Sequence, residues 1–90
     1  NKIKNIDLTW SNLKQLKTLK LGKNEIEKIP SNIACLENLE RLDLSKNKIT
    51  NVPQSILSLK SIKYINLQDN PLTDESKKFL TTHFVGIAKF

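Results

Sequence analysis

Apolar residues recur along this chain in a fixed frame with a period of 23 residues. Leu19, Leu42 and Ile65 occupy equivalent positions, and an asparagine lies five positions after each of them. The stretch 39–47, LERLDLSKN, shows the frame: alternating apolar residues, then a polar turn that ends in Asn. Self-similarity with a period of about 20–50 residues is typical of architectures in which each unit buries its apolar face against the next. The pattern therefore predicts a stack of similar units.

The period divides the chain into units with definite boundaries. The two complete units share the pattern LxxLxLxxNxIxxIPxxIxxLxx, with one Val in place of Ile. The chain begins in phase with this pattern and without an initial Met, which predicts a fragment or a processed form of a longer repeat protein. We expect one domain over 1–90, with a partial repeat at 1–15, complete repeats at 16–38 and 39–61, the start of a last repeat at 62–72, and a C-terminal cap at 73–90.

Each unit contains a segment with strand character and a segment with helix character. The L-x-L segment alternates apolar and polar residues, which predicts a short strand whose leucines face inward. Strands that return in the same direction stack in parallel, about 4.8 Å apart. The Ile-x-x-Ile-Pro segment predicts the start of a short helix on the opposite side. We expect these helices at 31–37 and 54–60, with Ser31 and Ser55 as helix caps.

The last stretch of the chain departs from the repeat pattern and predicts a cap. Thr73 precedes two acidic residues, and a Thr N-cap with acids in the first turn favours a helix start. We expect this helix from Asp74 to about His83. Ala88 follows Ile65 by one period of 23 residues and is therefore its equivalent, which predicts a fourth parallel strand at about 86–89.

An asparagine follows the strand of each unit, where the chain must turn. A carboxamide both donates and accepts, so a buried Asn can bind backbone groups of its own turn and of the neighbouring turn. We therefore expect a structural ladder rather than a ligand site, and the loss of one member should leave groups unpaired at about 1–3 kcal/mol. The ladder consists of Asn1, Asn24, Asn47 and Asn70.

The 23-residue unit with its Ile-Pro step resembles the intracellular leucine-rich repeat class of the Ras-binding and Scribble/Erbin type. The stretch IPSNIACLENLERLDLSKNKITNVPQSILSLKSI looks like two such units in sequence. The resemblance implies an α/β fold: a right-handed solenoid with a short parallel β-sheet on the concave side and short helices on the convex side. It also implies a protein partner held by the concave sheet, in this class a small GTPase or another signalling protein.

Outward side chains of the strands and of the turns after them should lie side by side, on one surface that we call the strand face. Arg41 and Tyr64 are its leading candidates, because Arg and Tyr are enriched at binding hot spots. An alternative for Lys20 and Asp43 is a cross-strand ion pair worth less than about 1 kcal/mol, and both interpretations stay open. The predicted partner-binding residues are Thr18, Lys20, Lys23, Arg41, Asp43, Ser45, Lys46, Tyr64, Asn66 and Gln68.

The net charge of +6, from 15 basic and nine acidic residues, admits two interpretations. One is an acidic partner, nucleic acid or an anionic membrane surface. The other is that the basic residues, which are lysines except Arg41, are scattered over solvated positions of the repeats. The chain has no Lys/Arg-rich run and few aromatic residues among the lysines, which favours the second interpretation. We therefore do not expect nucleic acid or a membrane as the main partner.

The sequence gives little support for catalysis, for a metal site or for a cofactor. The single Cys35 cannot form an internal disulfide, and the lack of cysteine-clamped caps favours a reducing, intracellular and cytoplasmic location. No Cys/His cluster has zinc spacing, no glycine-rich phosphate loop occurs, and nothing suggests that Cys35 and His83 pair. We predict no catalytic residue, no metal site and no cofactor, and hence no enzyme.

The sequence thus predicts a non-catalytic protein–protein interaction module, either monomeric or part of a longer array. Two other classes of function remain open. One is a structural or assembly element that stacks through exposed ends such as Leu8 and Trp10. The other is a basic surface that binds nucleic acid or anionic lipid, which would show a steep dependence on salt.

Overall fold

The structure, a computed structural model, describes Lys4 and residues 15–90. Among these residues, one parallel sheet contains four strands in the order β1-β2-β3-β4. The predicted parallel sheet is therefore confirmed, and it includes the fourth strand. The strands are β1 (Thr18–Lys20), β2 (Arg41–Asp43), β3 (Tyr64–Asn66) and β4 (Ala88–Lys89).

Some predictions concern positions that the structure does not describe. Asn1 of the predicted ladder, and the end residues Leu8 and Trp10, lie outside the described residues. The same holds for the partial repeat predicted at 1–15, apart from Lys4 and Gln15. The right-handed sense of the solenoid stays a prediction, which agrees with the general preference of parallel crossover connections.

The register of the sheet follows the repeat period of the sequence. Leu19 pairs with Leu42, and Leu42 pairs with Ile65, so each strand residue lies beside its equivalent 23 positions away. Leu42 and Ile65 are fully buried. A slip of one residue would turn every one of these side chains away from the core, so the apolar pattern fixes the register.

The inward strand residues join the apolar residues of the helical side in one hydrophobic core. Burial of each such side chain contributes roughly 1.5–3 kcal/mol, and this is the main force that stacks one unit on the next. The buried core residues are Ile26, Ile29, Ile33, Leu36, Leu39, Leu42, Leu44, Ile49, Ile56, Leu59, Ile65, Leu67, Leu72, Leu80 and Phe84.

The predicted repeat helices are present, but they are 3₁₀ helices at Ser31–Cys35 and Gln54–Ser58, shorter than the predicted segments 31–37 and 54–60. A 3₁₀ helix needs few residues for its first hydrogen bonds and is common as a short connector. In the first, the amide of Leu36 donates to the carbonyl of Ile33 at 3.1 Å and closes the last turn. The chain then turns back toward the next strand.

The prediction that Ser31 and Ser55 cap these helices is wrong. Pro30 and Pro53 occupy the N-cap positions, in extended backbone conformation and without a side-chain cap bond. Each serine therefore lies inside its helix, past the position from which a hydroxyl accepts from the first free amides. The helices start at proline because its fixed φ suits the extended N-cap residue and its missing N–H costs no bond there.

The predicted cap helix is confirmed as α1 (Asp74–His83). Thr73 is its N-cap, and the Thr73 hydroxyl accepts from the amide of Ser76 at 3.2 Å. The buried Ser76 hydroxyl in turn accepts from the amide of Val52 at 3.1 Å, which ties α1 to the preceding repeat. Among the described residues, no helix has the length and apolar character needed to cross a membrane.

Candidate functional site

The parallel register brings the outward residues of the strands into columns across the sheet. These side chains are exposed or half-buried, whereas the residues between them point into the core. The strand face predicted from alternation is therefore a single continuous surface. One column contains Thr18, Arg41 and Tyr64, and the next contains Lys20, Asp43 and Asn66.

The turns after the strands extend this surface by further rows. Lys23, Lys46 and Asp69 adopt the left-handed backbone conformation, with φ of 59°, 56° and 62°. The amide of Lys23 donates to the carbonyl of Ser45 at 3.0 Å, and that of Lys46 donates to Gln68 at 2.9 Å. The parallel hydrogen bonds between neighbouring units thus continue beyond the strands into the turns. The predicted turn residues of successive units therefore lie side by side, next to the columns formed by the strand residues.

Asp43, at the centre of the strand face, interacts within its own turn. Its Oδ1 accepts from the backbone amide of Ser45 at 3.0 Å and from the Ser45 hydroxyl at 2.8 Å. Within the described chain, the ion pair is instead between Lys63 Nζ and Glu40 Oε1, at 3.9 Å. The alternative ion pair between Lys20 and Asp43 is not formed, and Ser45 engages one of the two carboxylate oxygens of Asp43 instead.

Lys89 belongs to the strand face although sequence analysis did not include it. It lies beside Asn66 in the register of β3 and β4, and its Nζ is 5.5 Å from the centre of the Tyr64 ring. An exposed cation–π contact of this kind contributes about 0.5–1 kcal/mol. The signal was present in the sequence, since position 89 follows Asn66 by one period of 23 residues.

A shallow depression of about 520 Å³ lies at the centre of the strand face, and we call it the groove. It brings together both leading candidates, Arg41 and Tyr64, with two charged residues that sequence analysis missed, Glu40 and Lys63. Each of those two residues directly precedes a strand, where the alternation of apolar and polar residues does not predict in which direction a side chain points. The residues that line the groove are Lys20, Glu40, Arg41, Asp43, Lys63 and Tyr64.

Asn47 connects two units through its carboxamide. Its Nδ2 donates to the carbonyls of Leu44 and Ser45 in its own turn, at 2.9 and 3.1 Å. The same nitrogen donates to the carbonyl of Leu21 in the preceding unit at 3.0 Å, and Oδ1 accepts from the amide of Ile26 at 3.1 Å. Donors and acceptors of adjacent turns are thus satisfied by one buried side chain.

Asn70 repeats this arrangement one unit later. Its Nδ2 donates to the carbonyl of Leu44 in the preceding unit at 2.9 Å, and its Oδ1 accepts from the amide of Ile49 at 3.1 Å. Asn24 donates to the carbonyl of Leu21 in its own turn, also at 2.9 Å. These amide groups face backbone groups of the stack, so they hold the turns in place beneath the strand face.

The residues with reactive side chains lie apart from the groove. Cys35 is exposed in the first 3₁₀ helix, and His83 ends α1 with its ring 4.8 Å from the ring of Phe79. Among the described residues, no group of His, Cys, Asp and Glu has the arrangement of a metal site. The strand face itself offers charge and hydrogen bonding.

Comparison with known proteins gives a family and a fold. The family described as leucine rich repeat matches this chain over residues 1–49 and again over 30–72. Among solved structures, the chain is similar to a leucine-rich repeat protein of Leptospira interrogans, with 28% sequence identity and a TM-score of 0.76. The match covers 82% of this chain and 19% of that protein. A search of curated proteins found no match.

Proposed function

Because this chain belongs to the leucine-rich repeat family, we propose that it is a non-catalytic module that binds a protein partner through its strand face. Domains of this family generally mediate interactions between proteins, and the fold itself does not select the partner. On this chain the parallel register gathers the exposed and half-buried polar side chains of the strand face on one surface. They are therefore the place to look for the binding function.

The observation that carries the proposal is the pairing of Arg41 with Tyr64 across β2 and β3. Both side chains line the groove, and adjacent strands hold them side by side. Arg and Tyr offer large contact areas with hydrogen-bonding ends, which is why they are frequent at binding hot spots. The hydrogen-bonded sheet fixes the backbone of both residues before binding, so the ordering required is that of the side chains.

The area of the strand face determines how many of its residues a protein partner must contact. A standard interface covers roughly 800 Å² on each partner, more than Arg41 and Tyr64 alone present. We propose that the interface spreads along the columns, from Thr18 on β1 to Lys89 on β4. Lys89 already contacts Tyr64 and would bring the C-terminal end of the sheet into the same surface.

The resemblance to the Ras-binding and Scribble/Erbin type of repeat supports a signalling protein inside the cell as the partner, with a small GTPase as one member of that class. The cytoplasmic location is part of this proposal. A single cysteine in the sequence, Cys35, agrees with it, since disulfide-stabilised domains are typical of oxidising compartments.

Photo-crosslinking tests where the partner binds. A benzophenone amino acid is introduced at Thr18 or Asn66 on the strand face, and at Leu57 or Lys78 as matched exposed positions elsewhere. We expect irradiation in extracts to give one shared adduct from both strand-face positions and none of that mass from the other two. Adducts from Leu57 or Lys78 alone would place the binding surface on the helical side and refute the proposal.

A further inference from the structure

The groove is lined by three basic and two acidic residues, and they differ in the partners that the protein gives them. Several lysines of the chain lie away from it, such as Lys77 and Lys78 on the exposed side of α1. Within the groove, however, Lys20 and Arg41 stand together without an ion-pair partner among the described residues. Arg41 is exposed, so its guanidinium is available to a ligand from the solvent side.

Both carboxylates of the groove have a contact within the protein. Asp43 accepts two hydrogen bonds from Ser45, and Glu40 lies 3.9 Å from the ammonium of Lys63. The ammonium of Lys63 thus partly balances the charge of Glu40, whereas Asp43 receives neutral donors at one oxygen. The cations that remain for a ligand are Arg41, Lys20 and, next to the groove, Lys89.

We infer that the partner enters this groove with an acidic segment of protein chain, in which Asp or Glu side chains alternate with neutral residues. A carboxylate can accept two parallel hydrogen bonds from the planar guanidinium of Arg41, the geometry for which Arg is best suited. Lys20 and Lys89 flank that position in the neighbouring column. This inference rests on the proposed function and names the chemistry of its partner.

The same surface is poorly suited to nucleic acid. A phosphate backbone carries a charge at every nucleotide, and it would meet the carboxylates of Glu40, Asp43 and Asp69 along the strand face. Surfaces that bind single strands also use aromatic platforms for successive bases, whereas Tyr64 is the aromatic residue that lines the groove. An acidic peptide can place its charges at Arg41 and Lys20 and neutral residues opposite the carboxylates.

Fluorescence anisotropy of three labelled probes tests the inference on the whole chain. The probes are a short peptide that alternates Glu and Ser, the same peptide with Gln for Glu, and a single-stranded oligonucleotide of equal length. We expect saturable binding of the Glu peptide at low salt, weakened as salt rises, and at least about tenfold weaker binding of the Gln peptide and the oligonucleotide. An oligonucleotide that binds as tightly as the Glu peptide would overturn the inference, as would no binding of the Glu peptide.

Matched variants locate the binding within the groove. Arg41→Glu should weaken binding of the Glu peptide at least about tenfold, whereas Lys78→Glu, which changes net charge equally on α1, should change it less than about twofold. Arg41→Gln removes the positive charge without adding a negative one and should weaken binding less than Arg41→Glu does. Circular dichroism of each variant checks that the fold is retained. Glu40→Gln should strengthen binding about two- to threefold, since it removes a repelling carboxylate and releases Lys63. Equal losses in Arg41→Glu and Lys78→Glu would show an effect of net charge alone and overturn the inference.

The two proposals fail in different ways. If crosslinks to a partner still form from Thr18 and Asn66 while no Glu peptide binds through Arg41, the acidic segment is wrong and the protein-binding strand face stands. If the crosslinks form only from the helical side, the strand face itself is wrong, whatever the peptide does.

Discussion

The backbone amide of Ile26 donates a hydrogen bond to Oδ1 of Asn47, a residue 21 positions later, at 3.1 Å. The same carboxamide donates back to the carbonyl of Leu21 at 3.0 Å. Asn47 is only 6% exposed, so water cannot readily replace these bonds. The turn of one repeat is thereby fixed on the turn of the next, and the strand columns stay in register above it.

Substitution of Asn47 by Ala should lower the free energy of unfolding by about 1–3 kcal/mol, because it leaves buried backbone groups without partners. Urea unfolding followed by circular dichroism measures this change. Asn51→Ala is the matched control, since Asn51 is exposed and its contacts to Thr50 and Thr73 are long, at 3.3 and 3.4 Å. Equal stability of the two variants would mean that the Asn47 bonds contribute nothing.

Substitution of Arg41 or Tyr64 by Ala should weaken binding of the crosslinked partner by more than about 1 kcal/mol each. Both variants should still fold, and only Tyr64→Ala should lose the cation–π contact to Lys89, worth about 0.5–1 kcal/mol. Isothermal titration calorimetry measures the affinity once the partner is isolated. Lys77→Ala on α1 is the control and should bind as the unmodified chain does. Normal binding by both strand-face variants would contradict the proposed function.

Lys46→Asn should raise the free energy of unfolding by about 0.5–1 kcal/mol, since Asn tolerates the left-handed conformation better than Lys does. Lys46 has φ of 56°, and its exposed side chain makes no hydrogen bond that the substitution would remove. Thermal and urea unfolding both report the effect. Lys48→Asn, an exposed position with negative φ, controls for the loss of a positive charge. A gain of the same size at both positions would point to charge rather than backbone conformation.

Ser76→Ala should cost about 1–2 kcal/mol, because the amide of Val52 loses its acceptor at a site that is 5% exposed. The hydroxyl of Thr81, on the exposed side of the same helix, bonds only to the carbonyl of Lys77 at 2.9 Å. Thr81→Ala should therefore leave stability almost unchanged. Hydrogen exchange at the Val52 amide gives a local readout, and unchanged protection in Ser76→Ala would refute the role of this bond in holding the cap.

Much of the fold was predictable from the sequence because the deciding signals are local or periodic. Leu42 and its equivalents recur with the period that sets the register, and Thr73 with the acids after it starts α1 as the pattern indicates. The fourth strand was predicted from the same 23-residue period, and in the structure Ala88 pairs with Ile65. Alternation also gave the strand face, including the neighbours Arg41 and Tyr64.

The sequence did not decide contacts that depend on a small shift of the backbone or on the choice between nearby partners. Ser31 lies one position too late to cap its helix, because the extended Pro30 holds the N-cap position. The ion pair between Lys20 and Asp43, which the sequence left open, is not formed, and the turn brings the Ser45 amide and hydroxyl to one oxygen of Asp43. Sequence spacing cannot rank such competing partners, since each is within reach of the side chain.

The sequence by itself determined the stack, the register and the two-sided division of each strand, because burial of an apolar residue every second position permits only one pairing of equivalent units. Only the tertiary structure decided which charges remain unpaired. Glu40 meets Lys63, Asp43 meets Ser45, and Arg41 is left exposed beside Tyr64. Glu40 and Lys63 come from neighbouring units, whereas Asp43 and Ser45 belong to one turn, and in both cases the side-chain geometry selects the partner, which the repeat pattern does not encode.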